Sequence, residues 1–301
     1  MPESKPIFDV EKLSTDDLLH YGSKRHHYIP EFFTKGFCNE DGRVYCYDKQ
    51  EDVIIKQPKA PRAIFYGHDR NTIDFGEHGK SSFLEDYAYS KTDNYFSKQV
   101  RYFRNTAVDE IKFDVLNTTE LLIFAVCLYW RSPANDDKIE QIINDIDFHE
   151  LPPNLRALAD SPIFPKIKRF GLLPFTLEQI AKFGHKKTIM AQVRSFSNPL
   201  VLLGDNPSIF RAEPSRFADL GDQDFIFPIS SSRVFISSEE SISFIKESLL
   251  TYNVQTIRQA HKYVVAADLD VLKVVVGLYR DFKERGQDAW FQERVFQTKD
   301  P

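Results

Sequence analysis

The chain has 301 residues, 42% of them hydrophobic and 28% charged, with 39 basic against 44 acidic side chains and a formal charge of −5. That balance excludes a uniformly basic nucleic-acid coat, and 12 Gly with 16 Pro exclude a low-complexity chain. The apolar content is enough to close a sizeable core without help from metal or disulfides.

The chain opens on a polar arm, residues 1–23, with no basic-then-apolar leader pattern, so the mature protein is expected to begin at Met1. Asp41-Gly42 precedes the alternating run Arg43-Val44-Tyr45-Cys46-Tyr47, and Val53-Ile54-Ile55 follows a charged turn, which predicts short antiparallel strands. From Ser82 the spacing becomes helical, with Phe83, Leu84, Tyr87, Tyr95, Phe96, Val100 and Phe103 near one stripe and Ser81 or Ser82 as N-cap. Asn117-Thr118-Thr119-Glu120 predicts the start of a second helix that stops at Ser132-Pro133. Its apolar run, Leu121 to Trp130, would span about 15 Å against a hydrocarbon core of about 30 Å, so a core helix is expected and a membrane span is not.

Beyond Asp136 a further amphipathic helix leads into a proline-punctuated stretch and a helix over 177–183. Strands are predicted over 188–196, 199–203, 225–229 and 234–237, then helices over 241–260 and 272–285. The expected fold class is α+β: a helical middle and C-terminus packed with short antiparallel β segments from the N-terminal and central regions. Residues 24–285 read as one domain, with subdomains 24–150 and 151–285 as the alternative, and 286–301 as a tail.

Charge is unevenly placed. Residues 151–200 carry eight Lys or Arg against Asp160 and Glu178, a local +6 that leaves −11 on the rest. Lys166, Lys168, Arg169, Lys182, Lys186 and Lys187, interleaved with phenylalanines, form a candidate nucleic-acid surface. The plainer reading is basic, solvated helix faces. The odd trio Cys38, Cys46 and Cys127 shares no C-x-x-C spacing, so no disulfide framework or zinc knuckle is expected, and a reducing cytoplasm fits.

Several residues carry candidate chemistry. Gly79-Lys80-Ser81 matches the end of a phosphate loop, but Asp74 stands where its first glycine belongs, so a helix-entry turn is expected. In His26-His27 one imidazole can point inward as acid, base or ligand, and His27, followed by Tyr28-Ile29-Pro30, is the expected inward one. Glu85 and Asp93 lie eight residues apart, about 80° around an ideal helix, so both carboxylates can address one cleft and a divalent cation. Lys91 and Lys98 could instead neutralise them on a solvated face. Arg131, ending the apolar helix, calls for a carboxylate or phosphate partner if buried. Asp205, in Gly204-Asp205-Asn206-Pro207, sits at a strand end and serves either a cleft or its own loop. Ser230 and Cys127 are weaker nucleophile candidates, because a thiol inside an apolar helix resists ionisation.

The run Lys24-Arg25-His26-His27-Tyr28-Ile29-Pro30-Glu31-Phe32-Phe33 resembles the opening motif of the domain-of-unknown-function family 4238, found mainly in bacteria. Glu85 and Asp93 are similar to that family's acidic helix, and Arg131-Ser132-Pro133 to its R-T-P element. Leu203 to Pro207 is similar to its T-S-D-N-P turn, Phe227 to Ser230 to its P-L-S segment, and Asn253 with Ala260 to its C-terminal pattern. Gly204 and Ser231 depart from the pattern, so no role passes to those two side chains. The resemblance gathers His27, Glu85, Arg131, Asp205 and Asn206 as one set and implies no established reaction.

That inventory suits a phosphodiester hydrolase, a nuclease in a bacterial stress or phage-defence setting. His27, Arg131, Asp205 and Asn206 are the catalytic candidates, and Glu85, Asp93 and Asp205 the ligands for Mg²⁺ or Mn²⁺. The rival expectation is a non-catalytic binding module in which the same residues form a satisfied structural network.

Overall fold

The computed structural model describes residues 20–22, 24–144, 190–212, 224–238 and 246–287, with 291 and 294–296 near the C-terminus. The basic residues Lys166, Lys168, Arg169, Lys182, Lys186 and Lys187 and the helix expected over 177–183 lie outside them.

Strand β1 (Arg25–His27) leads through Pro30 into the short helix α1 (Glu31–Thr34), which tightens into a 3-10 turn at Lys35–Phe37. Gly42, at φ 70, supplies the left-handed residue of the expected turn before β2 (Tyr45–Asp48) and β3 (Val53–Ile54). β4 (Tyr66–His68) returns to pair antiparallel with β1, setting His26 opposite Gly67 and His27 opposite Tyr66. A two-stranded hairpin follows, β5 (Ile73–Asp74) with β6 (Lys80–Ser81). Lys80 and Ser81 are therefore strand residues, and the expected helix entry starts later.

That entry is a π-helical segment, Leu84–Tyr89, continuing as α2 (Ser90–Asn105). Helix α3 (Val115–Arg131) is capped three residues before the expected N-cap because the Asp114 carboxylate accepts the Asn117 N–H at 2.7 Å. The sequence N-cap pattern at Asn117 was one turn too late. Helix α4 (Asp136–Asn144) follows directly.

The remainder runs β7 (Met190–Ser195), β8 (Leu203–Gly204), β9 (Ile209–Phe210), β10 (Phe225–Ser230), β11 (Arg233–Ser238), α5 (Lys246–Gln259), β12 (Tyr263–Ala266) and α6 (Leu269–Glu284). Two four-stranded antiparallel sheets result, in the orders β7-β11-β10-β9 and β3-β2-β12-β8. The fold is α+β. β12 went unforeseen because Tyr-Val-Val-Ala is apolar on both faces and shows no alternation; it is a central strand, paired on both edges.

α3 is apolar nearly all round because it is enclosed nearly all round: Leu121, Ala125, Val126 and Leu128 are fully buried. Phe124 packs edge-on to Phe33 and Phe227, whose rings stack at 5.3 Å between centroids. That aromatic knot joins α1, α3 and β10. The Arg104 guanidinium threads in from α2 and donates to the Phe33 and Ile229 carbonyls, with burial drawing it down to about 10. A second apolar cluster seats α6 on β2 and β12 through Leu272, Val275, Val276 and Tyr279. Among the described residues, no helix is long and apolar enough to cross a membrane.

Candidate functional site

Strand alternation decides which histidine faces where. His26 is fully buried, lying across from side-chain-free Gly67, and its Nδ1 accepts the Asn71 N–H at 2.8 Å. His27 takes the other face and lines an open cleft of about 470 Å³. The expected orientation is thus reversed: His26 is the structural imidazole and His27 the accessible one. Burial lowers the His27 pKa, outweighing the Arg62 carbonyl 3.4 Å from Nε2 and the nearby Glu85. The ring is therefore neutral near pH 7 and has the character of a base.

Glu85 belongs to the π-helical segment, whose wider turn replaces the ideal spacing assumed from sequence. Its Oε1 accepts the His27 backbone N–H at 3.2 Å and its Oε2 accepts Asn71 Nδ2 at 2.9 Å. Asn71 thereby braces both His26 and Glu85. No sequence cue marked this residue.

Asp93, two turns along, shares the cleft. Its Oδ1 receives Arg131 Nη1 at 2.6 Å, and that guanidinium is only 3% exposed. Arg131 Nη2 donates to the His27 carbonyl, and the guanidinium lies 4.4 Å from the Tyr89 ring centroid. Arg131 Nε has no hydrogen-bond partner in the structure described. The demand for a carboxylate is met by Asp93. Burial, reinforced by the charge of Glu85, pushes the Asp93 carboxyl up to about 6 against the pull of Arg131. The Asp93 carboxyl therefore exchanges its proton about two pH units above an ordinary aspartate. Arg25 and Arg62 add cationic groups to the cleft wall, and Glu31 and Asp86 further carboxylates.

The D-N-P turn has gone elsewhere. Asp205 is fully buried, and its carboxylate accepts the backbone N–H groups of His261, Lys262 and Tyr263 at 2.7, 2.7 and 2.8 Å. Burial raises its pKa against those three donors. Its carbonyl accepts the Ser132 hydroxyl at 2.7 Å, tying the turn to the R-S-P segment. Neither Asp205 nor Asn206 lines the His27 cleft. The expectation that Asp205 would join Glu85 and Asp93 around a metal is corrected accordingly: its side chain clamps the loop before β12. Among the described residues, no three His, Cys, Asp or Glu side chains form a ready metal-ligand group.

Asn206 faces a different cavity, where its Oδ1 accepts Asn135 Nδ2 at 3.2 Å. Asn253 satisfies the chain ahead of the turn, accepting the Leu202 N–H at 3.0 Å and donating to the Leu200 carbonyl at 2.7 Å. Gly204 sits close to α5: a Cβ there would fall 3.1 Å from the Thr256 methyl and 3.2 Å from its carbonyl oxygen, a tight contact that the neighbouring helix would have to yield to. Ser230 accepts the Ser232 N–H inside the β10–β11 turn, and burial pushes the Cys127 thiol up, so neither has the setting of a nucleophile.

The α+β fold thus presents an open cleft lined by His27, Glu85 and Asp93. A family model described as "Protein of unknown function (DUF4238)" matches residues 25–270, so the chain belongs to that family. No curated protein matches the chain, and no solved structure does.

Proposed function

We propose that the His27 cleft is a hydrolytic site for an anionic substrate of the phosphodiester class. The observation that carries this reading is convergence: β1, the π-helical segment and α2 bring His27, Glu85 and Asp93 to one solvent-open wall, fixed from behind by Arg131. His27 is the base for an attacking water, and protonated Asp93 is the acid toward the leaving oxygen. Arg25 and Arg62 supply charge for the substrate's anion. Should Mg²⁺ or Mn²⁺ be required, Glu85 and ionised Asp93 are the two carboxylates that would hold it alongside substrate phosphate, and Asp93 would then carry no proton to donate. Arg131 positions Asp93 and the His27 carbonyl and is a positioning residue, and Asp205 and Asn206 leave the catalytic set. The basic segment 151–200 favours a nucleic acid as the phosphodiester.

The test is cleavage of labelled single- and double-stranded DNA and RNA with Mg²⁺, with Mn²⁺ and with EDTA. Cleavage that falls by about 100-fold or more in His27→Ala and in Glu85→Gln, with the melting temperature lowered by no more than about 4 °C, supports the reading. Cleavage that is absent from the wild type, or that survives in both variants, ends it. The binding-module reading is favoured by the saturated Asp205 clamp; it predicts nucleic-acid retention without turnover, and retention that His27→Ala leaves intact.

A further inference from the structure

A hollow of about 650 Å³ adjoins the His27 cleft and falls in the size range of small-ligand sites. One stretch of chain walls both: Arg62 lines the cleft, and residues 63–70 line the hollow. Tyr66, on the hollow, sits opposite His27 in the β1–β4 pair, with ring centroids 5.8 Å apart, so cleft and hollow meet at these two strands. Phe65 at φ 58 and Asp69 at φ 52 bracket β4 in a left-handed backbone that a bulky side chain rarely adopts, and both line the hollow.

The wall selects for a neutral, planar group. Tyr28, Phe65, Tyr66, His68, His261 and Tyr263 give it ring surface. Its charged side chains are engaged within the protein: Arg70 with Asp136 at 2.6 and 3.0 Å, Lys262 with Asp48 at 3.8 Å, and Asp69 with the Tyr21 hydroxyl at 2.8 Å. An anionic group therefore gains little here, and an uncharged ring gains most. One polar group is open to a ligand. Tyr28 is only 5% exposed, and its hydroxyl has no hydrogen-bond partner among the described residues, yet it is not sealed from solvent. Tyr28 lines this hollow and neither the His27 cleft nor the Asn206 cavity, so the hydroxyl faces the hollow. Burial pushes its pKa up, so it stays protonated and can both donate and accept. A heterocycle edged with carbonyl, amino and ring-nitrogen groups satisfies that hydroxyl, whereas a hydrocarbon ring leaves it unpaired.

We propose that the hollow receives an unpaired nucleobase of a nucleic-acid strand, held against its rings and hydrogen-bonded to the Tyr28 hydroxyl, while the adjoining phosphodiester lies in the His27 cleft. This deepens the hydrolytic reading and rests on it for the place of the phosphate; base binding itself needs no turnover. Every base has a π-face, so the rings tolerate any sequence, and a base must leave a duplex to enter, so single strands are preferred.

The experiment titrates the full-length chain by calorimetry, in EDTA, with adenosine and uridine 5′-monophosphates, ribose 5-phosphate, indole and a single-stranded tetranucleotide. The tighter of the two monophosphates should bind saturably, about tenfold or more tighter than ribose 5-phosphate, which lacks the base, and than indole, which lacks the polar edge. Its binding should weaken about fivefold in Tyr28→Phe and about tenfold in His68→Ala. Tyr28→Phe separates binding from folding: it deletes a hydroxyl that no protein group uses, so the melting temperature should be unchanged or higher. The tetranucleotide should bind about tenfold tighter than the monophosphate; equal affinity would make the site one for free nucleotides and overturn the strand assignment. No saturable binding of either monophosphate overturns the proposal, as does equal affinity for ribose 5-phosphate or indole, or binding that neither variant alters. Cleavage without base binding ends this proposal alone, and base binding without cleavage supports the base site while ending the hydrolytic reading.

Discussion

Asp93 and Asp205 are both held beside the short motif segments, yet their surroundings differ in kind. Asp205 is fully buried, with three backbone N–H groups on its two oxygens. Asp93 meets one guanidinium and keeps part of its carboxylate, 21% exposed, on the wall of an open cleft. A carboxylate saturated by main-chain donors fixes a loop. One paired with a side chain and still facing solvent can change its protonation and act on something outside the protein.

Asp205→Ala is the largest expected effect. It strands three N–H donors inside the protein and releases the loop before β12, so a loss of about 3 kcal/mol or more in urea unfolding is expected. A loss below about 1 kcal/mol would mean that water replaces the carboxylate and that the enclosure is loose. Next comes Arg131→Met, which leaves Asp93 beside Glu85 without its counter-charge and costs about 3 kcal/mol. Adding Asp93→Asn to Arg131→Met should recover part of that loss, and a double-mutant cycle should show coupling above about 1 kcal/mol. Purely additive losses would break the pair.

Glu85→Gln is milder for stability, about 1 kcal/mol, since Gln keeps an acceptor for the His27 N–H. Its consequence for turnover is large, and this split between stability and activity is what sets the cleft apart from the clamp. A Glu85→Gln protein that loses as much stability as Asp205→Ala would put both carboxylates in the structural class.

The sequence showed some of this and not the rest. The two long helices and the β10–β11 pair were legible because periodicity of apolar residues is local. The pairing of β12 with β2 and β8 was not, because register between distant segments leaves no local mark. In the site, Arg131's burial and its need for a carboxylate followed from its place at the end of an apolar helix. The choice of His26 over His27 as the buried ring depended on Gly67, forty-one positions away across a strand pair. Asn71 was invisible because a bridging amide has no pattern of its own. Asp205 shows the limit of a motif: the same D-N-P letters suit a cleft or a clamp, and only the loop over 261–263 decides.

The smallest effect expected is on pH dependence, and its sign follows from the two pKa shifts in the cleft. The Asp93 carboxyl rises from 3.8 to about 6 on folding. The folded state therefore holds its proton more tightly, and the stability this brings is fully present below 3.8 and is lost as pH climbs toward 6. His27 is shifted the other way, below 6.5, so its contribution is present above 6.5 and is lost as pH falls through the folded value. Urea midpoints of the wild type should fall between 3.8 and about 6 relative to those of Asp93→Asn, with the two curves parallel above that window. Identical slopes through the window would mean that Arg131 holds Asp93 ionised throughout. The cleft would then lack the carboxyl proton that general acid catalysis requires, whereas a difference confined to the window keeps that proton where His27 and Glu85 can share its chemistry.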